Sequence, residues 1–211
     1  MVNVGHVLGH EKGAVVLTRA SLRATRGFTL IELLTAITLL GILMALGLPS
    51  FTAWIANAKV RTVAEGLQTG IRLAQTESVR RNQQVVLFLT NANPDPLLTA
   101  TAVAGGKNWS IQTVTQFGRA AEFIQGGALA DVASGVTITS PTVSICFNSN
   151  GRLVTNTTPG VTGAACNASA ARFILKQTNS DHPLHVTVSL AGQVRMCDIN
   201  RTRSATDSDG C

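Results

Sequence analysis

The chain contains no tyrosine, and aromatic residues of all kinds make up 4% of its 211 positions. A core built on stacked rings is therefore excluded, and aliphatic side chains must supply the packing. No Cys-x-x-Cys pair occurs, so zinc-ribbon and thioredoxin-like chemistry lack their ligands and their redox couple. Also missing are a Gly-x-Ser-x-Gly elbow, a His-Glu-x-x-His helix and a Gly-x-Gly-x-x-Gly loop. Gly105-Gly106-Lys107 has neither the earlier glycine nor the following hydroxyl of a phosphate cradle. The acidic residues are dispersed, which leaves no general acid–base pair by spacing. His182 and His185 flank Pro183 beside Asp181, the pattern of a polar loop entering a strand. No enzymatic activity, metal or cofactor is expected. Asn108-Trp109-Ser110 and Asn156-Thr157-Thr158 match the glycosylation sequon as chance products of Asn/Thr-rich surface sequence.

What is present is Gly, Ala, Ser, Thr and Asn in quantity, a mixture suited to β-structure with many turns. The length allows one domain of ordinary size and an additional segment. Formal charge is +6, but Lys12, Arg19, Arg23 and Arg26 stand against Glu11 in the first 27 residues, so half of that excess lies there. The basic balance alone does not imply a nucleic-acid partner. Four cysteines, Cys146, Cys166, Cys197 and Cys211, fall in the last third. An even number in an exported segment reads as two disulfides. Three pairings are open, and Cys146–Cys166 with Cys197–Cys211 is favoured because each closes a short local loop.

From Phe28 to Leu48 a single charge, Glu32, interrupts an apolar run long enough to cross a bilayer, roughly 31 Å as a helix. Three readings fit the length. A removable secretory signal would be cut after Ala45-Leu46-Gly47, a plain anchor would stay, and neither explains Glu32. A carboxylate at membrane depth costs about 2.5–3.5 kcal/mol on insertion scales and so calls for a partner.

The third reading rests on a resemblance. Basic residues, then Gly27 and Phe28, then a glutamate fifth from Phe28, resemble the class III signal of type IV pilins and pseudopilins. The resemblance implies cleavage between Gly27 and Phe28 by a prepilin peptidase, and N-methylation of Phe28. It implies that Glu32 neutralises the α-amine of a neighbouring subunit during assembly, and that Pro49 bends the helix. Expected domains are a leader (1–27), the pilin helix (28–82, with 28–48 transmembrane) and a β-rich head with a C-terminal tail (83–211).

Beyond Pro49, Val60, Ala64, Leu67, Ile71, Ala74 and Ser78 recur at spacings of four and three, which predicts one buried helix face. Gly66 and Gly70 weaken that helix. They either permit close packing on a sheet or are merely tolerated. Short strands are predicted at 85–89, 109–117, 136–139, 143–147, 172–177, 185–190 and 193–197, the second of them half buried. Asn150-Gly151 and Ala191-Gly192 are predicted turns. The expected fold is α+β, a long N-terminal helix packed on an antiparallel sheet or sandwich. "ICFNSNGRL" and "VSLAGQVRMC" resemble the GspH/FimT branch of pilin-like proteins.

The tail carries Arg195 and Asn200-Arg201-Thr202-Arg203. The second element resembles the Gly-Arg-x-Arg motif with which FimT proteins bind DNA, with Asn200 in place of glycine. The resemblance makes Arg195, Arg201 and Arg203 DNA-binding candidates and double-stranded DNA a candidate partner. Against it, Asp198, Asp207 and Asp209 balance these arginines, and a solvated tail with internal ion pairs fits as well. The implied protein is a minor pilin of the type IV pilus, in an initiation or tip complex. Its partners would be the peptidase, the major pilin and other minor pilins. It would sit in the inner membrane with a periplasmic head until assembly moves it into the filament. The alternative is a type II secretion pseudopilin of the GspH kind.

Overall fold

The computed structural model describes residues 27–116, 118–132 and 134–211. The leader before Gly27, and Phe117, lie outside the described residues. Two compact units divide the chain, residues 1–43 and 44–211. One helix, α1 (Leu30–Arg80), begins in the first and continues in the second. It is helical through position 49, so the proline there does not melt it.

The helix has sequence-encoded ends. Thr29 is the N-cap: its Oγ1 accepts the Glu32 N–H at 3.3 Å and its carbonyl accepts Leu33 N–H at 3.1 Å. At the other end, Asn82 adopts φ 48°. Gln83 N–H then reaches the Ser78 carbonyl and Asn82 N–H the Val79 carbonyl, both at 3.2 Å, a Schellman stop made without glycine. Arg80 and Arg81 clamp Glu77 at 2.6 and 2.7 Å. Their hydrogen bonds hold the Glu77 carboxyl at about 2, well below the usual carboxylate range.

In the second unit, Val60, Ala64, Leu67, Ile71, Ala74 and Ser78 are all fully buried. They meet two antiparallel sheets. The first contains β1 (Val85–Thr90), β2 (Asn108–Thr113), β3 (Phe123–Gly127) and β5 (Ser144–Phe147) in the order β3-β2-β1-β5. The second contains β4 (Thr137–Thr139), β6 (Ala171–Lys176), β7 (Leu184–Val188) and β8 (Val194–Asp198) in the order β4-β6-β7-β8. A short α2 (Leu129–Val132) follows β3.

The sheets differ in burial. β1 is buried at every position. Val85, Leu87 and Leu89 join the helix-side core, whereas Val86 and Phe88 join a second cluster with Ala100, Cys146, Val161 and Cys166. Burial on both faces is why its sequence is an uninterrupted apolar run. β2 corrects two expectations. It ends at Thr113 rather than 117, and all six residues are buried rather than half of them. The second sheet has one dry face, and β6 alternates buried with exposed or half-buried positions.

Trp109 shows why glycines lie where they do. A Cβ on Gly70 of α1 would come within 2.7 Å of the indole, and one on Gly127 of β3 within 2.5 Å. Close packing is thus the reason for Gly70. Alanine at 70 would gain about 1 kcal/mol in helix propensity but overpack a site with no room to retreat, at about 1–3 kcal/mol. We expect Gly70→Ala to lower stability by about 1 kcal/mol, read by urea unfolding followed through tryptophan fluorescence. A stabilised variant would show that the ring can shift.

Both predicted turns form, with φ 70° at Gly151 and φ 85° at Gly192. They converge on α1, where Gln75 Nε2 donates to the Gly151 carbonyl at 2.9 Å. A side chain on Gly192 would strike that carbonyl and Gln75.

Candidate functional sites at the helix start and the tail

The first site lies in the first unit. Gly27 and Phe28 precede the cap in non-helical backbone, both exposed. A Cβ at position 27 would meet nothing within 4 Å, so the described fold places no demand for glycine there. Large side chains are bare along the segment: Phe28, Leu30, Ile31, Leu33, Leu39 and Leu43 are each more than half exposed. By length and apolarity this helix can cross a membrane, with mean hydropathy 2.2 in its most apolar window. The hydroxyls in it are satisfied locally, since Thr35 donates to the Glu32 carbonyl at 2.9 Å and Thr38 to the Leu34 carbonyl at 3.0 Å. Side-chain hydroxyls bonded back to the helix do not need water. Among the described polar side chains of this segment, Glu32 has the charge left to be met. Thr29-Leu30-Ile31-Glu32 also has the form of a capping box, a local role that the apolar-run reading did not anticipate.

The second site is the tail. Two disulfides form, Cys146–Cys166 and Cys197–Cys211. The second closes residues 198–210 into a loop, tied further by Cys211 N–H to the carbonyls of Asp198 (3.2 Å) and Arg201 (3.0 Å). Gly210 is pressed against the backbone of residues 201–203, where a Cβ would come within 2.6 Å.

The centre of this loop is Asp198, which is buried. Its Oδ2 lies 2.7 Å from His182 Nδ1 and 3.5 Å from Arg201 Nε. Its Oδ1 accepts Asn200 N–H at 2.9 Å, which turns the chain. Arg201 also meets Asp207 at 3.2 Å. The Arg201–Arg203 segment therefore starts from a turn, with Arg201 folded onto two carboxylates. Arg203 and Arg195 are exposed and have no carboxylate within 4 Å among the described residues. The three arginines are not gathered at one point. Arg195 stands on β8, and the other two belong to the loop beyond it.

A cleft of about 400 Å³ opens beside Asp198, lined by Trp54, Asn57 and Arg61 of α1 and by His182, Met196 and Arg201 among others. Asn57 Oδ1 receives the N–H groups of Asp181 and His182 at 2.9 and 3.2 Å, which pins the loop before β7 to the helix. The lining contains a His–Asp pair but no serine, threonine or free thiol for it to activate. Sequence reading missed this pair because 16 residues separate its members. Beyond it, His185 sits on β7, its imidazole pushed down by burial and by the nearby charges of Arg172 and Lys176.

Comparison with known proteins follows the same division of the chain. Residues 63–192, more than half of it, match the family described as type II transport protein GspH. Residues 22–48 match the prokaryotic N-terminal methylation motif. A fimbrial protein of Moraxella nonliquefaciens is 47% identical over 53 residues, a match that spans 24% of this chain and 34% of that relative. Two solved structures are among those to which the chain is similar. The type IV minor pilin FimU of Pseudomonas aeruginosa has 19% identity and a TM-score of 0.45, over 66% of this chain and 88% of that one. GspH of E. coli has 13% identity and a TM-score of 0.43, over 71% and 94%.

Proposed function

Because this chain belongs to the GspH family of minor pilins and pseudopilins, we propose that it serves as a minor pilin of a type IV pilus, in the complex that initiates or tips the filament. In this reading residues 1–27 are the leader, 28–82 the pilin helix and 83–211 the head. Prepilin peptidase cuts after Gly27 and methylates Phe28. The chain waits in the inner membrane with its head in the periplasm, then joins the major pilin and other minor pilins.

One observation carries the reading: an exposed apolar helical segment bears a lone acid, Glu32, five residues after a glycine, Gly27, that the described fold does not require. Gly27 lies within the methylation-motif match although packing does not call for glycine there, which fits an external reader such as a peptidase. An unpaired carboxylate in an apolar stretch points to a partner charge, which a neighbour's α-amine supplies. The methylation-motif match supports both, and the fimbrial relative favours the pilus.

A specific observation also favours the second reading, a type II secretion pseudopilin: the matched family carries that description. A deletion strain separates the two. Loss of surface fibres and twitching with normal protein secretion supports the pilus. Loss of secreted proteins with intact fibres replaces it with the pseudopilus. DNA is a further proposed partner of the head. Arg201 contributes least to that role, because Asp198 and Asp207 already hold it.

A further inference from the structure

We propose that the solvent face of the β4-β6-β7-β8 sheet docks the phosphate backbone of double-stranded DNA, with Arg172, Lys176 and Arg195 as its contacts. The inference rests on the reading of DNA as a partner and assigns it to a surface other than the Arg201–Arg203 loop.

The strand register builds this face. Thr187 of β7 lies opposite Arg172 of β6 on one side and Arg195 of β8 on the other, so a single row crosses three strands. Lys176 lies four residues beyond Arg172, on the same side of β6 by strand alternation. All three cations are exposed, and none has a carboxylate within 4 Å among the described residues. The one acid in these four strands, Asp198, is buried and already engaged by His182 and Arg201. Thr137, Thr139, Thr187 and the half-buried Ile174 and His185 occupy other outward positions, with the Cys197–Cys211 disulfide beside His185, and the three long cationic side chains are the exposed charges of these strands.

The spacing suits a duplex. Two strand-to-strand steps place the row's ends about 10 Å apart, and four residues along β6 add about 13 Å. Both intervals are close to the major-groove width of about 12 Å, and the length of the arginine and lysine side chains spans the difference. A second observation agrees with cationic charge on this face. His185, between β6 and β8 on this face, is disfavoured as a cation first by burial and then by Arg172 and Lys176. A lipid surface fits less well, because bilayer-binding faces add Trp, Phe or Leu for insertion. Here Ile174 is the large apolar residue of β6 facing outward, and it is half buried.

The test uses the full chain in non-ionic detergent. Fluorescence anisotropy with a duplex oligonucleotide compares wild type, Arg172→Gln/Lys176→Gln/Arg195→Gln and Arg201→Ala/Arg203→Ala. Vesicles containing phosphatidylglycerol are run in parallel, and near-ultraviolet circular dichroism checks folding. The sheet variant should bind DNA about tenfold or more weakly, with the salt slope reduced by about three. The tail variant should lose less. If the sheet variant matches wild type while the tail variant loses binding, DNA stays a partner and the sheet assignment is overturned. If wild type binds no DNA, both ideas fall together. Vesicle binding that depends on the three residues, beside unchanged DNA binding, would make the face a lipid surface instead. Should the triple variant misfold, single glutamine variants replace it, and three unchanged salt slopes would equally overturn the proposal.

Discussion

Replacing Glu32 by alanine will leave the chain in the membrane and remove it from filaments. The two effects have opposite signs, which makes the experiment decisive. Loss of the carboxylate removes an insertion penalty of about 2.5–3.5 kcal/mol, so membrane levels should hold or rise. In a filament, the same change would leave a neighbour's α-amine buried without its counter-charge. Breaking such a pair from one side costs about 3–5 kcal/mol, a hundredfold or more in occupancy. Immunoblots of sheared fibres and of membranes measure the two pools. The cap at Thr29 supplies a competing role, since Glu32 stands where a capping box needs an acid or amide. Glu32→Gln separates the roles, because glutamine retains the cap and loses the charge. Failure of both variants to enter fibres supports charge pairing. Wild-type incorporation of the glutamine variant would reduce Glu32 to a helix-capping residue.

The Cys146→Ala/Cys166→Ala variant should lose about 3 kcal/mol, close to 10 °C in melting midpoint for a chain of this size. The bond joins β5 to a loop across the second cluster, and both half-cystines are at most 1% exposed. Without it, the loop bearing Val161 and Ala164 loses the covalent link that fixes its closure over Phe88. Loop length alone predicts a similar loss for Cys197→Ala/Cys211→Ala, whose separation is 14 against 20. The structure predicts a smaller one. Cys211 is exposed, and a released tail gains freedom in the native state as well as the unfolded one, so the entropies largely cancel. Differential scanning calorimetry of the detergent-solubilised chain compares them. Equal losses would mean that the tail loop is as integral to the fold as the cluster beneath β1.

Some elements were legible because their signal is local. The buried face of α1 follows from a 3.6-residue period that no other structure satisfies, and the β1 run from apolar residues on both faces. β3 was not legible. Gly126-Gly127 argues for a turn, yet a Cβ at 126 would collide with Pro94 and one at 127 with Trp109, so both glycines serve contacts made by distant segments. The burial of β2 was underestimated for a similar reason. Ser110 and Gln112 alternate with Trp109 and Ile111 as a solvated face would, yet both are buried, because the strand lies between β1 and β3 with both of its faces covered.

The sequence by itself determined an apolar helix with one acid, a helical stripe meant for burial, a β-rich second half and four cysteines. Each depends on residue type and spacing within a few turns of chain. Tertiary structure alone decided what the charges do. Arg201 and Asp198 have the same composition whether paired or free, and only the turn at Asn200 brings them together. Arg172 and Arg195 are distant in the chain and become one row because β7 pairs with both neighbours in that register. Electrostatic energy depends on distance and burial, quantities that an unfolded string of letters does not contain.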